Sequence, residues 1–273
     1  MKMKRFSKTA VMVIALVSAG VGAARAEGPS VREIVDHSNY VSLYQGDDSK
    51  GKLQFIITDK QGRTRKRVLN ILRKDTGADG GDQKYFTCFI APSDVRNMTF
   101  MVHKHADIGH DDDRWLYMPG LDLVKRIAAS DKRTSFVGSD FLYEDISGRS
   151  PEEDDHELVE TTDRFYVIKN TPKKGGVEFD YYLASIDKET GIAMKLEYYK
   201  KNDVLYRDIV VKEVQNVPAG DNMYPTVTRS VARDYEKGSS TEMIFSGIVY
   251  DTGIRDNVFT ERYLRKPSRD VLR

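Results

Sequence analysis

A long succession of short strand-like segments is the feature that most constrains what this chain can fold into. Each segment is rich in β-branched or aromatic residues and is bounded by turn residues, a pattern typical of strands. The predicted strands are residues 51–58, 64–73, 84–91, 95–103, 114–118, 121–127, 163–170, 178–187, 192–200, 204–216, 224–235 and 240–250. The connections at residues 187–191, 201–203 and 236–239 have hairpin lengths. The chain is therefore predicted to be mainly β, with neighbouring strands antiparallel.

Helical segments are few. Ser30 and Glu33 have the spacing of a capping box, which predicts a helix from about Ser30 to Leu43. A few helical turns are predicted within residues 140–160, and a short helix near residues 259–264. A sheet of this size must curl, and these helices are too short to cover its inner face. An apolar concave surface should therefore stay partly open, as a binder of hydrophobic ligands requires.

The first 26 residues have the pattern of a secretory signal peptide. Lys2, Lys4, Arg5 and Lys8 precede an apolar run at residues 10–24, which ends in the small-residue pattern Ala-Arg-Ala. An uncleaved membrane anchor is the alternative, and the glycines in the run disfavour it. We predict that residues 1–26 are removed and that residues 27–273 form a single domain in the periplasm.

Charge and cysteine content exclude several classes of function. Residues 1–26 carry five basic residues and no acid, so the net charge of +1 over all 273 residues leaves −4 on the remainder. A mildly acidic body disfavours nucleic acid as a partner, because phosphate binding requires a basic surface. The single Cys excludes an internal disulfide framework.

A histidine-rich segment is the strongest candidate for a metal site. His103 and His105 alternate along a predicted strand, and His110 precedes three consecutive Asp residues. Such side chains could hold Zn²⁺ or Cu²⁺. A solvated hairpin loop at residues 104–113 accounts for the same residues, and no distant ligand pair is evident. We favour the loop and predict no metal and no cofactor.

No catalytic constellation is evident either. Cys88 lies in an apolar strand, as a buried inert thiol does, and no serine has the context of a hydrolase nucleophile. The acidic run at residues 152–155 is typical of a solvated loop or a helix start. The basic segment at residues 60–74 could contact lipid phosphates or an acidic partner, but the outer face of an edge strand is favoured. The chain is predicted not to be an enzyme.

The central third of the chain carries a specific pattern. It begins with Trp115, Tyr117 and Pro119, continues through a basic strand that ends at Ile127, and reaches the stretch S-F-V-G-S-D-F-L-Y-E-D-I at residues 135–146. This pattern resembles the LolA-like family of outer membrane lipoprotein-sorting proteins, which are often associated with transporters of the resistance-nodulation-division (RND) type. Val137 departs from the methionine usual in that family.

The resemblance implies a fold and a function. The fold would be an unclosed half-barrel of about eleven antiparallel strands, with a few short helices as a lid over its concave face. The function would be periplasmic carriage of lipid, lipoprotein acyl chains or other hydrophobic cargo, without enzymatic turnover. The partners would be that ligand and an RND-type inner-membrane transporter, and peripheral contact with a membrane is compatible with this function. The alternative is an accessory subunit that regulates a transporter without carrying cargo.

The residues expected to line the cavity or its lid are apolar and aromatic. They are Phe55, Ile57, Phe86, Ile90, Phe100, Trp115, Tyr117, Phe136, Phe141, Tyr143, Met194 and Leu196. The choice of face on each strand is ambiguous, because a slip of one residue exchanges the two faces. On this assignment, replacing Trp115 by alanine should weaken binding of a hydrophobic probe more than it lowers stability.

Overall fold

The structure, a computed structural model, describes residues 28–77 and 80–272. The strands are β1 Asp48–Thr58, β2 Thr64–Asp75, β3 Gln83–Ala91, β4 Thr99–Lys104, β5 Asp113–Met118, β6 Leu123–Ile127, β7 Asp154–Thr161, β8 Phe165–Pro172, β9 Tyr181–Asp187, β10 Ala193–Lys200, β11 Val204–Ala219, β12 Asn222–Asp234 and β13 Ser239–Tyr250. The helices are α1 Val31–Leu43, α2 Tyr143–Ser147, α3 Glu261–Arg265 and α4 Arg269–Leu272. The predicted signal peptide, residues 1–26, lies outside the described residues.

All of these strands belong to one antiparallel sheet. Its order is β6-β5-β4-β3-β2-β1-β13-β12-β11-β10-β9-β8-β7, so two meanders meet where β1 pairs with β13. Leu53 and Phe245 are partners in that central pair. The end strands β6 and β7 do not pair, so the sheet is not closed. The prediction of a mainly β, unclosed antiparallel sheet is confirmed, but the sheet has 13 strands rather than about eleven.

Strand β7 is the strand that the sequence pattern did not indicate. It begins at Asp154, inside the acidic run that we expected to be a loop or a helix start. Because β7 pairs with β8 alone and lies at the end of the sheet, most of its side chains are exposed. Charged residues are common on such edge strands, where they oppose aggregation. The acidic run is therefore divided: Glu152 and Glu153 lie in a short 3-10 helix at Pro151–Glu153, and Asp154 and Asp155 begin the edge strand.

The basic segment also lies elsewhere than expected. Strand β2 pairs with β1 and with β3, so it is an interior strand and not an edge. Arg65 and Lys66 are exposed at its beginning, whereas Arg73 near its end is buried. The segment therefore has a solvated half and a half that enters the protein.

The sheet curves strongly. Tyr85 on β3 and Leu196 on β10 line the same cavity, although six strand-to-strand steps separate these strands in the sheet order. In a flat sheet, steps of roughly 4.8 Å would place the two strands about 29 Å apart. The cavity between them has a volume of only about 310 Å³. The sheet must therefore bend around it.

The two faces of the sheet carry separate hydrophobic clusters. We call the face that bears Phe55, Tyr85 and Phe100 the inner face, and the face that bears Phe86 and Met101 the outer face. Neighbouring residues such as Tyr85 and Phe86 point to opposite faces because side chains alternate along a strand. Each face therefore needs its own cover.

Helices lie over the inner face, as expected of a lid, and the C-terminal helices also cover the outer face. Helices α1 and α2 lie on the inner face, beside the cavity that Tyr85 and Leu196 line. The C-terminal segment with α3 and α4 packs on the outer face, where Phe259 and Leu264 join the cluster around Phe86 and Met101. Asn70 on β2 donates a 2.8 Å hydrogen bond to the Val271 carbonyl and fixes α4 there.

Helix α1 forms as the capping box predicts. The Ser30 backbone amide donates to the Glu33 carboxylate at 2.7 Å, and the Glu33 amide donates to the Ser30 hydroxyl at 3.3 Å. Ile34 and Val35 then pack against strands β8 and β9 at Ile168. In the part of the chain that the structure describes, no helix is both long enough and apolar enough to cross a bilayer.

Candidate ligand-binding cavities

An apolar space of about 310 Å³ lies between helices α1 and α2 and the inner face, and we call it the main cavity. Its apolar lining residues are Val41, Leu43, Leu53, Ile71, Tyr85, Ile146, Ile192, Ala193, Leu196, Val227, Met243 and Phe245. These residues come from both meanders, so the cavity spans the β1–β13 junction. Binding sites for small molecules in proteins have volumes of about 300–1,000 Å³ and are mainly apolar. The main cavity fits that description.

A second apolar space of about 250 Å³ adjoins the main cavity under the middle and C-terminal parts of α1, and we call it the side cavity. Leu43 on α1 and Leu196 on β10 line both spaces. The remaining wall comes from strands β8 to β11, with Tyr182 and Ile209 among its members, and from residues 144–151 in and after α2. A chain-shaped ligand could therefore extend from one space into the other past Leu43 and Leu196.

Arg73 holds the end of α1 over the main cavity. Its guanidinium donates to the carbonyls of Leu43, Gln45 and Gly46, at 2.7 Å for Gln45 and 2.5 Å for Gly46. The last carbonyls of a helix have no partner within the helix, so a buried cation is well suited to bind them. Asp75 accepts from Arg73 at 3.1 Å and neutralises it. This network fixes the lid helix to β2.

An aromatic cluster fills the inner face beside the main cavity. Phe136, Phe141 and Tyr143, from the loop that enters α2, are almost fully buried. The ring centroids of Phe136 and Phe100 are 5.4 Å apart, and those of Phe141 and Phe55 are 5.7 Å apart. Ile57 belongs to the same hydrophobic cluster. These side chains pack on one another and close one end of the inner face.

Polar side chains of the loop at residues 135–146 attach it to neighbouring strands. Asp140 accepts hydrogen bonds from Thr241 at 2.7 Å and Ser239 at 2.5 Å, which attaches the loop to β13. Asp145 forms an ion pair with the buried Arg207 on β11 and also lines both cavities. Together with its aromatic contacts to β1 and β4, the loop thus contacts both meanders on the inner face.

The other expected site residues lie elsewhere. Phe86 and Tyr117 belong to the outer-face cluster, and Trp115 packs against it. Ile90 and Met194 are partly buried on β3 and β10, and neither lines the main or the side cavity. Of the twelve expected residues, Leu196 is the one that lines both spaces.

The placement of Trp115 leads to a testable difference between the two faces. Replacing Trp115 by alanine should lower the free energy of unfolding by about 3 kcal/mol, because it removes a large side chain from the outer-face cluster. Binding of the probe N-phenyl-1-naphthylamine should stay within two-fold of the wild type, because the probe would occupy the inner face. Urea denaturation and fluorescence titration measure the two effects. Weakened probe binding with unchanged stability would place Trp115 in the binding site instead.

The histidines of the candidate metal site do not converge. His103 Nε2 lies 3.0 Å from the Phe259 carbonyl oxygen, in contact with the C-terminal segment. His105 and His110 bind separate aspartates, and their ring centroids are 6.4 Å apart. Within the described ranges, no group of three or more His, Cys, Asp or Glu side chains is placed to hold a metal ion. Cys88 is buried on the outer face, and burial raises the pKa of its thiol to about 11.

Sequence reasoning missed most of the cavity wall. Leu43 and Val41 were visible as apolar positions of the predicted helix, and this signal could have placed them on the sheet side. No sequence pattern indicated that Arg73 is buried, because it lies near the end of a basic segment whose earlier residues are exposed to solvent. The role of Arg73 depends on carbonyl groups at the end of α1, which lies outside strand β2.

The chain was compared with family models, with curated proteins and with solved structures. A family model described as "uncharacterized protein" matches residues 81–266, more than half of the chain. Among curated proteins, none matches the chain.

Several solved structures match most of the chain. A DUF1329 family protein from Desulfovibrio piger is 28% identical, with a TM-score of 0.76 over 86% of this chain and 98% of that chain. A domain described as an outer membrane lipoprotein-sorting protein, from Vibrio parahaemolyticus, is 25% identical, with a TM-score of 0.75 over 86% of this chain and 97% of that chain. A LolA superfamily protein from Nitrosomonas europaea shares the fold at 16% identity and a TM-score of 0.64, over 86% of this chain and 99% of that chain.

Proposed function

Because the chain belongs to the LolA-like family of outer membrane lipoprotein-sorting proteins, we propose that it is a periplasmic, non-enzymatic carrier of hydrophobic molecules. The main cavity and the side cavity together form the binding site. The observation that carries this proposal is the unfilled apolar space between α1 and the inner face. Each methylene group moved from water into such a space contributes about 0.8 kcal/mol.

The cargo is proposed to be a lipid, a lipoprotein acyl chain or another molecule with an extended apolar part. The carrier would exchange it with a membrane component, and an RND-type inner-membrane transporter is the proposed partner. The predicted signal peptide and the family support a periplasmic location. A filled inner face would favour an accessory subunit that carries nothing. The two open cavities favour a carrier.

Leu196 offers the most direct test of the site. Replacing Leu196 by tryptophan should reduce affinity for N-phenyl-1-naphthylamine by about ten-fold, because the indole ring would occupy the junction of the two cavities. Fluorescence titration of the purified protein measures this affinity. The matched control is Leu158→Trp, on the exposed edge strand β7, which should leave it unchanged.

Two results would contradict the proposal. One is a wild-type protein that shows no saturable probe binding. The other is equal probe affinity in the Leu196→Trp and Leu158→Trp variants when both have wild-type thermal unfolding midpoints. An unfolding midpoint that falls only in Leu196→Trp would call for Leu196→Met, which keeps the space open and should keep the affinity.

A further inference from the structure

A polar cleft of about 270 Å³ lies where the two ends of the curved sheet approach each other. Lys104 and Arg114, on β4 and β5, line it from one end, and Lys173 at the end of β8 lines it from the other. Further lining residues come from the segments at residues 105–112, 129–133, 148–153 and 174–177. Seven Lys or Arg residues and four Asp or Glu residues line this cleft. It therefore has a net positive lining.

Most of these cations already have anionic partners. Arg149 binds Asp154 through two hydrogen bonds of 2.8 Å and Glu153 through one of 2.7 Å. Lys132 lies 3.1 Å from Glu144 and 3.2 Å from Glu153. These pairs build the wall of the cleft and leave little capacity for a ligand.

Lys104 and Arg114 differ from the other cations. Lys104 is 5% exposed and Arg114 is 2% exposed, so both are removed from bulk water. The ammonium of Lys104 lies 5.7 Å from the centre of the Tyr44 ring, and no hydrogen bond or ion pair to it exists among the described residues. Arg114 binds Asp112 with its terminal nitrogens, while its Nε has no partner in the described part of the chain.

A buried cation whose N–H groups lack acceptors lowers the stability of the folded protein, unless an anion accepts hydrogen bonds from them. A buried donor without an acceptor destabilises a protein by about 1–3 kcal/mol, and more when it is charged. Burial also lowers the pKa of Lys104 to about 8, because the protein around the ammonium solvates its charge less well than water does. An anionic group bound in the cleft could supply the acceptors that Lys104 Nζ and Arg114 Nε lack.

The cleft adjoins the side cavity. Gly148 and Arg149 line both spaces, so the cleft and the side cavity share this short segment as a wall. Gly148 has a φ of +78°, and a Cβ there would collide with Leu43 Cδ1, so the segment packs closely against the lid helix. A ligand with a charged end and an apolar chain could occupy both spaces past this segment.

We propose that the cargo is an amphiphile with an anionic head of the phosphate or carboxylate type, whose head binds Lys104 and Arg114 in the polar cleft and whose chain lies in the side and main cavities. This inference rests on the proposed carrier function and specifies its ligand class. Neutral acyl chains would fill the apolar spaces but leave Lys104 Nζ and Arg114 Nε without an acceptor.

Calorimetric titration of the purified protein at pH 7 with three probes tests this inference. The probes are dodecyl phosphate, dodecanol and inorganic phosphate, with the two amphiphiles below their aggregation concentrations. We expect dodecyl phosphate to bind at least ten-fold more tightly than dodecanol, and inorganic phosphate to bind far more weakly than either. Lys104→Met should remove the preference for dodecyl phosphate and keep dodecanol binding. Lys66→Met, which removes an exposed charge on β2, should leave the preference intact.

Each contrary result has its own meaning. Equal binding of dodecyl phosphate and dodecanol by the wild type would overturn the anionic head and leave the carrier function standing. Failure of both amphiphiles to bind would overturn the carrier function itself. Inorganic phosphate that binds as tightly as dodecyl phosphate would mean that the cleft takes a free anion. If Lys104→Met fails to fold, Lys104→Gln keeps a polar group there and should still lose the preference.

Discussion

Replacing Arg73 by methionine should lower the free energy of unfolding by about 3–5 kcal/mol, the range found when one partner of a buried ion pair is removed. The substitution leaves Asp75 without this cation and leaves the carbonyls of Gln45 and Gly46 without these donors. Gln83 would still donate to the Leu43 carbonyl at 2.7 Å, so part of the anchor of α1 remains. Denaturation in urea measures the change.

The same substitution should also loosen the lid. Amide hydrogen exchange along α1 should become faster at denaturant concentrations too low for global unfolding, because the helix end loses its attachment to β2. Arg65→Met is the matched control, since it removes an exposed arginine from the same strand. A loss below 1 kcal/mol in Arg73→Met, with unchanged exchange in α1, would show that the network does not hold the helix.

The second large effect is a rise in stability with pH that depends on Lys104. Burial lowers the pKa of Lys104 to about 8 in the folded protein, against an ordinary value of 10.5. Between these two values the unfolded chain binds more protons than the folded one, so stability increases with pH. The acids Asp112, Glu153 and Asp75 partly offset the burial, while Arg114 adds to it. Below pH 8 the unfavourable contribution is complete, at about 3 kcal/mol.

Comparison of wild type with Lys104→Met isolates this contribution. At pH 7 the ligand-free variant should be more stable than the wild type by up to about 3 kcal/mol, and the difference should shrink as the pH rises from 8 to 10.5. Lys66→Met should show no such trend. A variant that is less stable at pH 7, or a difference that stays constant with pH, would show that the folded protein accommodates the charged lysine well.

The fold could be predicted from sequence to the extent that hydrophobic period and turn residues determine it. Strand β1 alternates between buried and partly buried residues from Leu53 to Thr58, and the capping box at Ser30 marks the start of α1. Strand β7 could not be recognised, because an edge strand exposed to solvent has no apolar alternation to detect.

The candidate site was predicted less well, for a reason visible in β3. Tyr85 and Phe86 are both buried, one under the inner face and the other under the outer face. When both faces of a strand are apolar, the pattern cannot tell which face borders a cavity. The C-terminal segment covers Phe86, so the outer face does not border the main cavity. That segment lies far from β3 in the sequence, so no local pattern could reveal this packing. Lys104 and Arg73 raise the same difficulty, because their burial depends on distant elements.

The junction between β1 and β13 has a consequence for the order of folding. Each meander can form from hairpins between neighbouring strands, but the pair of Leu53 and Phe245 closes a loop on the order of 190 residues. Such distant pairing slows folding. The main cavity takes its walls from both meanders, so it cannot exist in either half alone. The binding site should therefore be the last part of the molecule to mature, and a nascent chain should not capture ligand until its final strand has docked.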